Sequence, residues 1–445
     1  MREISKPIGT AEKLCGIQKE KALCEYRKTK HCVTVSCGDG ELWYHTLTGE
    51  LILFEEGDFD KTIRGELIKK WFMVPTDFDE NKYSDDIRRL ALMLKPRVGK
   101  KNDFTVFTTT DCNARCYYCY EKGVKRIPMS DQTAKDVADY IASSCGGESV
   151  RLRWFGGEPL YNIRAIDIIT SELSKKGIGF RSSMTSNGFY LTEDVAKRAV
   201  EDWKLGSVQI TIDGTEKVYN RTKAFVDDCV NPFLRVLDNI ENALDAGIKV
   251  FIRLNVDKSN AADMADAVDV LGKRLGGRKN CGILIALLRS FAGKVNEFDT
   301  EEDAVRCYFD LAEKIRSYGL FEDKPLSREF VANRCMADSD LSEVILPDGR
   351  LGKCEHFSEK ELIGSIYSPE KDEGMIASWR ARRTVSDMPE CGDCPLYPKC
   401  INIQKCEWTK DGCPQSVRMI RIRKLKEQIL REYEKIKKAM EESEK

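Results

Sequence analysis

The stretch Thr108–Cys119, TTTDCNARCYYC, sets Cys112, Cys116 and Cys119 in a C-x3-C-x2-C arrangement directly after a run of β-formers. A thiolate is a soft metal ligand, and three of them can hold three irons of a cubane cluster while the fourth iron stays open. A structural zinc site normally closes with four ligands. On spacing alone, zinc and chance remain open. Seven more cysteines crowd one later segment: Cys335, Cys354, Cys391, Cys394, Cys400, Cys406 and Cys413. These ten are the chemical candidates among 18 cysteines. Cys145, Cys229, Cys281 and Cys307 have no close cysteine neighbour and read as small buried hydrophobes. Cys15, Cys24, Cys32 and Cys37 lie nearer one another, but their spacings match no tight metal site.

The elements that would position these thiols can be read from pattern. Short β-rich runs, CVTVSC, ELWYHT and ELILF, occupy the first sixty residues, with turns at Asp39-Gly40 and Thr48-Gly49. Helical patterns follow at Ile63–Trp71 and Asp85–Leu94. From residue 103 the pattern alternates. Strands are expected at 103–109, 149–155, 179–186, 207–213, 249–256 and 282–288. Helices are expected at 130–143, 162–175, 192–202, 232–246, 260–275 and 301–317. Six strand–helix units in series predict an α/β fold, a parallel sheet curved into a partial (β/α)6 barrel. Reactive groups of such folds gather at the C-terminal ends of the strands, where the three-cysteine loop falls. Residues 320–415 have little periodicity and hold the seven later cysteines, so metal stapling is the expected source of their order. Residues 416–442 read as a charged amphipathic helix whose interleaved acids argue for a solvated face.

Bulk composition narrows the function. The 445 residues fit two to four domains at roughly 150 residues each. Lys and Arg number 72 against 73 Asp and Glu, so nothing favours nucleic acid as a partner. No apolar run approaches about 18 residues, which speaks against a membrane span. The opening MREISKPIGTAEK lacks the apolar core of a signal peptide, so a cytoplasmic protein is expected. In that compartment clustered cysteines point to metal or redox chemistry.

Further motifs follow the cysteine loop in order. WFGGEPL brings Gly156, Gly157 and Glu158 after the second barrel strand. TSNG brings Ser186, Asn187 and Gly188 after the third, and TIDG brings Asp213 and Gly214 after the fourth, with Arg221 beyond. IRLNV carries Arg253 and Asn255 on the fifth. Together with the cysteines these resemble the radical S-adenosylmethionine (SAM) superfamily. The resemblance implies that Cys112, Cys116 and Cys119 hold a 4Fe–4S cluster whose open iron chelates SAM. Reductive cleavage of SAM would then release a 5′-deoxyadenosyl radical that abstracts hydrogen. By the same resemblance Tyr118 lies near the adenine, the GGE backbone meets the methionine amino group, and Ser186 and Asn187 reach the ribose. Asp213 and Arg253 complete the expected cofactor contacts. Glycine is expected at Gly156 and Gly157 because a side chain would block a close approach.

The later cysteines resemble the SPASM extension, which carries two auxiliary 4Fe–4S clusters. The resemblance gives Cys391, Cys394, Cys400 and Cys413 to a distal cluster and Cys335, Cys354 and Cys406 to a proximal one. The family usually has C-x3-C after the third cysteine, whereas five residues separate Cys400 from Cys406 here, which leaves the placing of Cys406 and Cys413 open. Two closed clusters need eight thiolates and seven are available, so one iron stays open or takes another ligand. His356 is one candidate, although a surface histidine is the simpler reading. Sulfatase-maturating relatives have a further cysteine soon after the first, and residues 336–342 contain none.

The expected organisation is an N-terminal β-rich α+β unit at 1–98, a radical SAM partial barrel at 99–320, an irregular cysteine-rich iron–sulfur domain at 321–415 and a helix at 416–445. The expected activity is maturation of a ribosomally made precursor peptide, with an intramolecular thioether as the preferred product. The alternatives are carbon–carbon cross-linking, epimerisation or oxidation of a peptide or protein side chain, and an iron–sulfur electron carrier. A carrier has no need of the GGEP, TSNG and TIDG motifs. The expected partners are the peptide, whose leader would add a strand to the N-terminal sheet, and a reductase such as flavodoxin or ferredoxin.

Overall fold

The computed structural model describes residues 1–5, 24–55, 61–93, 100–227, 231–289, 295–327, 335–356, 359–380, 385–400 and 412–443. The chain divides into two compact units. One comprises Met1–Pro96, Asp323–Cys335 and Arg382–Lys445; the other comprises Arg97–Glu322 and Met336–Ala381. The cysteine-rich segment is therefore shared between them.

In the first unit, β1 (Arg2–Ser5), β3 (Cys32–Cys37), β4 (Gly40–His45) and β5 (Leu51–Phe54) form an antiparallel sheet in the order β1-β5-β4-β3. A ribbon pairs β2 (Tyr26–Lys28) with β6 (Met73–Pro75). Helices α1 (Lys61–Lys69) and α2 (Glu80–Met93) belong to the same unit. Side chains alternate across a strand, and here both faces find apolar partners. Val33, Leu42, Tyr44, Leu51 and Leu53 pack with Ile429 and Tyr433 of the helix Gln415–Ser443. Trp43, Ile52 and Phe54 pack with Leu67 and Phe72 on the other face. Burial on both faces explains why ELILF reads as an unbroken apolar run rather than as an alternation.

The second unit is built on a nine-stranded sheet. Its strands include β7 (Asp103–Thr109), β8 (Val150–Gly156), β9 (Phe180–Ser186), β10 (Leu205–Ile212), β11 (Lys249–Val256) and β12 (Cys281–Leu287), six parallel neighbours in sequence order. The connecting helices are α3 (Asp131–Cys145), α4 (Ile163–Lys175), α5 (Glu193–Glu201), α6 (Glu216–Lys223), α7 (Pro232–Asp245) and α8 (Ala261–Leu275), and α9 (Glu301–Ser317) follows β12. This is the expected partial (β/α)6 barrel, with boundaries within two residues of the pattern. All seven residues of β7 are buried, as a strand flanked on both sides requires. Cys145 and Cys281 are buried in the core as small hydrophobes, and Cys229 lies outside the described residues.

Two features were not expected from pattern. The helix α6 follows TIDG, where EKVYNRTK is too polar and short to signal one. The strand β13 (Ser342–Ile345) pairs in parallel with β7 on its free side, and β14 (Arg350–Gly352) and β15 (Gly364–Ser365) continue the sheet antiparallel. Buried Glu343 on β13 meets Lys101, Lys371 and Tyr140, a four-group cluster drawn from distant parts of the sequence. Among the described residues no helix is long and apolar enough to cross a membrane.

Candidate functional site

β7 delivers the chain to the C-terminal edge of the sheet, and the cysteine loop begins three residues later. Backbone bonds fix its path. The Cys112 N–H donates to Asp111 Oδ1 (2.8 Å), the Ala114 N–H to Cys112 Sγ (3.3 Å) and the Cys119 N–H to the Cys116 carbonyl (3.2 Å). The Arg115 N–H donates to the Lys223 carbonyl at 2.7 Å, and the Val226 N–H to the Asn113 carbonyl at 2.8 Å. Cys112, Cys116 and Cys119 line one cavity of about 170 Å³ together with Thr110, Arg115 and Glu121. Burial pushes the Cys112 thiol up to about 12, with the Glu158 charge adding to it, and the Cys119 thiol up to about 11, with Glu121 adding. Burial also raises Cys116. Thiols so placed keep their protons until a cation offsets the cost of charge, and a soft metal does that outright. Among the described residues no three such side chains surround a single point; a cubane instead takes each thiolate on a different iron.

Two networks flank the loop. The first starts at Glu158, whose carboxylate is fully buried. Its Oε1 accepts from Ser186 Oγ (2.8 Å) and the Leu160 N–H (3.1 Å), and its Oε2 from the Asn187 N–H (2.7 Å). Burial raises its pKa to about 7, against these donors, which lower it. Asn187 in turn donates to Asn113 Oδ1 at 2.7 Å and lies 3.8 Å from Cys112 Sγ. Glu158 therefore ties the ends of β8 and β9 to the cysteine loop. The glycines before it also answer to the protein's own backbone. A Cβ at Gly156, whose φ is +128°, would lie 2.1 Å from the Thr109 carbonyl oxygen, and one at Gly157 would lie 2.3 Å from that of Asp111.

The second network centres on Asp213, also fully buried. Its Oδ2 accepts from Tyr118 Oη at 2.7 Å and pairs with Lys223 Nζ at 2.9 Å; these two charged side chains are 3% and 0% exposed for Lys223 and Asp213. Lys223 Nζ also donates to Tyr118 Oη (3.2 Å), as does Asn255 Nδ2 (3.0 Å), while Arg253 Nε donates to Asn255 Oδ1 (2.8 Å). Burial disfavours the Lys223 charge, but Asp213 and its other neighbours more than offset this and hold its pKa well above the usual lysine value. Burial, then the Asp213 charge, keeps the Tyr118 phenol protonated far beyond its ordinary range. The structure thus gathers Tyr118, Asp213, Arg253 and Asn255 on one side of the cysteine loop and Gly156, Gly157, Glu158, Ser186 and Asn187 on the other.

Among the described residues, Asp213 Oδ1 and Tyr219 Oη, buried beside Cys116, have no hydrogen-bond partner. Orphaned polar atoms of this kind ask for a ligand or water. A soft three-thiol set with unspent polar atoms next to it fits an iron–sulfur cluster with a small polar molecule on its open iron.

The sequence model of the Radical SAM superfamily matches residues 106–271, which span β7 through most of α8 and both networks. The chain carries a radical SAM domain. That family implies a 4Fe–4S cluster and SAM.

Among curated proteins similar to this chain, a probable GTP 3′,8-cyclase of Methanococcus aeolicus is 22% identical over 302 residues, covering 66% of this chain and 92% of that one. An Fe-coproporphyrin III synthase of Methanosarcina barkeri is 26% identical over 198 residues, covering 43% and 47%. The chain spans about half the length of that second relative. Among solved structures, anSMEcpe with bound AdoMet aligns with a TM-score of 0.56 at 15% identity, covering 75% of this chain and 95% of that one. Streptococcus suis SuiB bound to S-adenosylmethionine aligns at 0.52 and 14%, covering 87% and 95%. At these identities the likeness is one of fold.

Outside the radical SAM domain, a four-thiol set lies in the first unit. Pro389–Cys391 forms a single 3-10 turn, and the Cys394 N–H returns to the Cys391 carbonyl at 3.2 Å. Cys391, Cys394 and Cys413 pack together with Met388 and Tyr397. Burial raises the Cys391 and Cys413 thiols to about 12 and about 11, with neighbouring thiols, Cys400 included, adding in each case. The turn brings Cys391 and Cys394 together, Cys413 packs against them and Cys400 is a near neighbour; a cubane takes each of four such thiolates on a different iron. Cys335 falls in the first unit, Cys354 in the second, and Cys406 lies outside the described residues. His356 is half-buried rather than a free surface residue. Its ring meets Tyr120 edge-on at 4.3 Å, and its backbone N–H donates to Cys354 Sγ at 3.3 Å.

Sequence reasoning missed Lys223. It singled out Arg221, which is exposed, while Lys223 two positions on is buried in the site. Residues two apart on a helix point to opposite sides. The one available signal was a second basic residue two positions after Arg221, which counts for little without knowing which face is inside. Tyr117, whose hydroxyl donates to buried Asp257 at 2.7 Å, was also missed.

Proposed function

We propose that this chain is a radical SAM peptide maturase that abstracts hydrogen from a ribosomally made precursor peptide, with a thioether cross-link as the product. The observation that carries the reading is the cysteine loop held between two buried networks at the C-terminal ends of the barrel strands, in a chain that also holds a second, four-thiol set and a separate α+β unit. SuiB, which shares the fold over 87% of this chain, has been solved with its precursor peptide SuiA.

In this reading Cys112, Cys116 and Cys119 ligate the SAM-binding cluster. Tyr118, Gly156, Gly157, Glu158, Ser186, Asn187, Asp213 and Arg253 surround SAM. Cluster and SAM together supply the 5′-deoxyadenosyl radical. The protein's part is positioning. Glu158 holds Asn187 against the cysteine loop, and Asp213 and Lys223 together fix the Tyr118 hydroxyl by hydrogen bonds while burial and the Asp213 charge keep it protonated. Cys391, Cys394, Cys400 and Cys413 hold the distal auxiliary cluster. β3, at one edge of the first unit's sheet, is the strand to which a leader would add. A reductase such as flavodoxin or ferredoxin supplies the electron.

The relatives named as GTP 3′,8-cyclases favour a nucleotide as the second reading. Anaerobic incubation of the reconstituted protein with dithionite and SAM, with either GTP or a peptide encoded beside the gene, separates the two. The peptide should raise 5′-deoxyadenosine and gain a crosslink by mass. Replacing Cys112, Cys116 and Cys119 by alanine should abolish 5′-deoxyadenosine and leave the iron of the other cysteines. Turnover with GTP and none with any candidate peptide would discard the maturase reading.

A further inference from the structure

We propose that Arg421 sets the reduction potential of the iron–sulfur cluster held by Cys391, Cys394, Cys400 and Cys413. The inference rests on the reading that these four thiols hold a cluster, and it adds a residue that lies outside the cysteine motif.

The helix Gln415–Ser443 begins two residues after Cys413, and its first turns face the cysteine turn. Arg418 and Arg421 are three apart and so share a helical face. Arg418 Nη1 donates to the Glu390 carbonyl at 3.0 Å, and Glu390 Oε1 accepts from the Cys413 N–H at 2.6 Å. This arginine clamps the backbone on which Cys391 and Cys413 sit. Arg421 does something different. Its Nη1 donates to Cys400 Sγ at 3.0 Å, a guanidinium addressed to sulfur itself.

A cation and an N–H donor at a ligating sulfur both favour the more negative, reduced cluster. Arginine stays protonated at any working pH, so the bias is permanent. At an effective dielectric of about 20, a unit charge acting at roughly 7 Å changes an equilibrium by more than about tenfold. Tenfold is about 59 mV for one electron. Four anionic thiolates on one cluster make reduction costly, and Arg421 offsets part of that cost where a second electron of the radical reaction would need a place to go.

The test is an EPR-monitored redox titration of the full-length reconstituted protein, the signal assigned by its loss in a Cys400→Ala variant. Arg421→Gln should lower the midpoint of that signal by at least tenfold in the redox equilibrium, about 59 mV, at unchanged iron content. Arg423→Gln, on the same helix but facing Glu427 at 3.5 Å, should not. Should Arg421→Gln lose iron, Arg421→His carries the test, because imidazole switches its charge near pH 6.5. Its midpoint should rise relative to the parent as the pH is lowered through that range. An unshifted midpoint in Arg421→Gln, or parallel pH profiles for Arg421→His and the parent, overturns the proposal. A parent protein with no iron at these four cysteines overturns it together with the cluster assignment, while leaving SAM cleavage intact.

Discussion

Removing one partner of the Lys223–Asp213 pair should cost far more than removing both. The two charges sit 2.9 Å apart with side chains 3% and 0% exposed, so neither can turn to water when the other is lost. Lys223→Met leaves Asp213 with only the Tyr118 hydroxyl as a donor to Oδ2, and its Oδ1 already has none. Breaking a buried pair from one side costs about 3–5 kcal/mol, because an uncompensated charge remains. At roughly 2 °C per kcal/mol for a domain of a few hundred residues, the melting temperature should fall by about 6–10 °C. The double variant Asp213→Asn, Lys223→Met removes the stranded charge and keeps an acceptor for Tyr118. It should regain at least half of that loss, since replacing both members of a buried pair is often neutral. Calorimetry on parent, two single variants and the double closes the cycle. Losses that simply add, with the double variant worse than either single, would refute the claim that the pair is a mutually dependent unit. SAM binding supplies an independent reading: the double variant should fold yet bind SAM more weakly, because Tyr118 loses its second donor, Lys223 Nζ.

Other expectations follow from the same geometry. Gly157→Val drives a Cβ to within 2.3 Å of the Asp111 carbonyl and should push the end of β8 off the cysteine loop, lowering iron loading and SAM affinity together; Gly206→Ala, whose new atom would meet nothing closer than 3.9 Å, should change neither. Full iron content in Gly157→Val would show that the loop tolerates the shift. His31 and His45 are buried and neutral in the first unit, both pKa values lowered by burial, His45 to about 3. Their folded values lie below the unfolded value near 6.5, so the unfolded chain takes up more protons in acid. Their contribution is complete above about pH 6.5 and should fall by about 1.4 kcal/mol per pH unit for each histidine as pH drops toward 3. Urea titrations from pH 7 to 5 should show this slope, and the double variant His31→Gln, His45→Gln should flatten it; equal slopes would place the acid sensitivity elsewhere.

The barrel was legible because its signals are local. Each strand from β7 to β12 is a short apolar run and each helix between them a 3.6-residue pattern, so alternation alone predicted the parallel sheet to within two residues. The cysteine triplet and the motifs at the strand ends were legible for a related reason: in a parallel β/α fold every strand end lands on one edge, so order along the chain becomes proximity in space. Contacts that join distant positions carried no such mark. Four residues of Ser342–Ile345 are too few to show a period, and only the open side of β7 made them a strand. Whether Arg221 or Lys223 enters the site depends on the rotation of α6 about its axis, which is set by packing against the barrel. Arg421 reads as one charge in a basic helix until the fold brings its first turns against Cys400. Residue type set what chemistry was available; the burial that turns Asp213 and Lys223 into a pair, and aims a guanidinium at a sulfur, came only from tertiary structure, because desolvation is a property of surroundings and not of sequence.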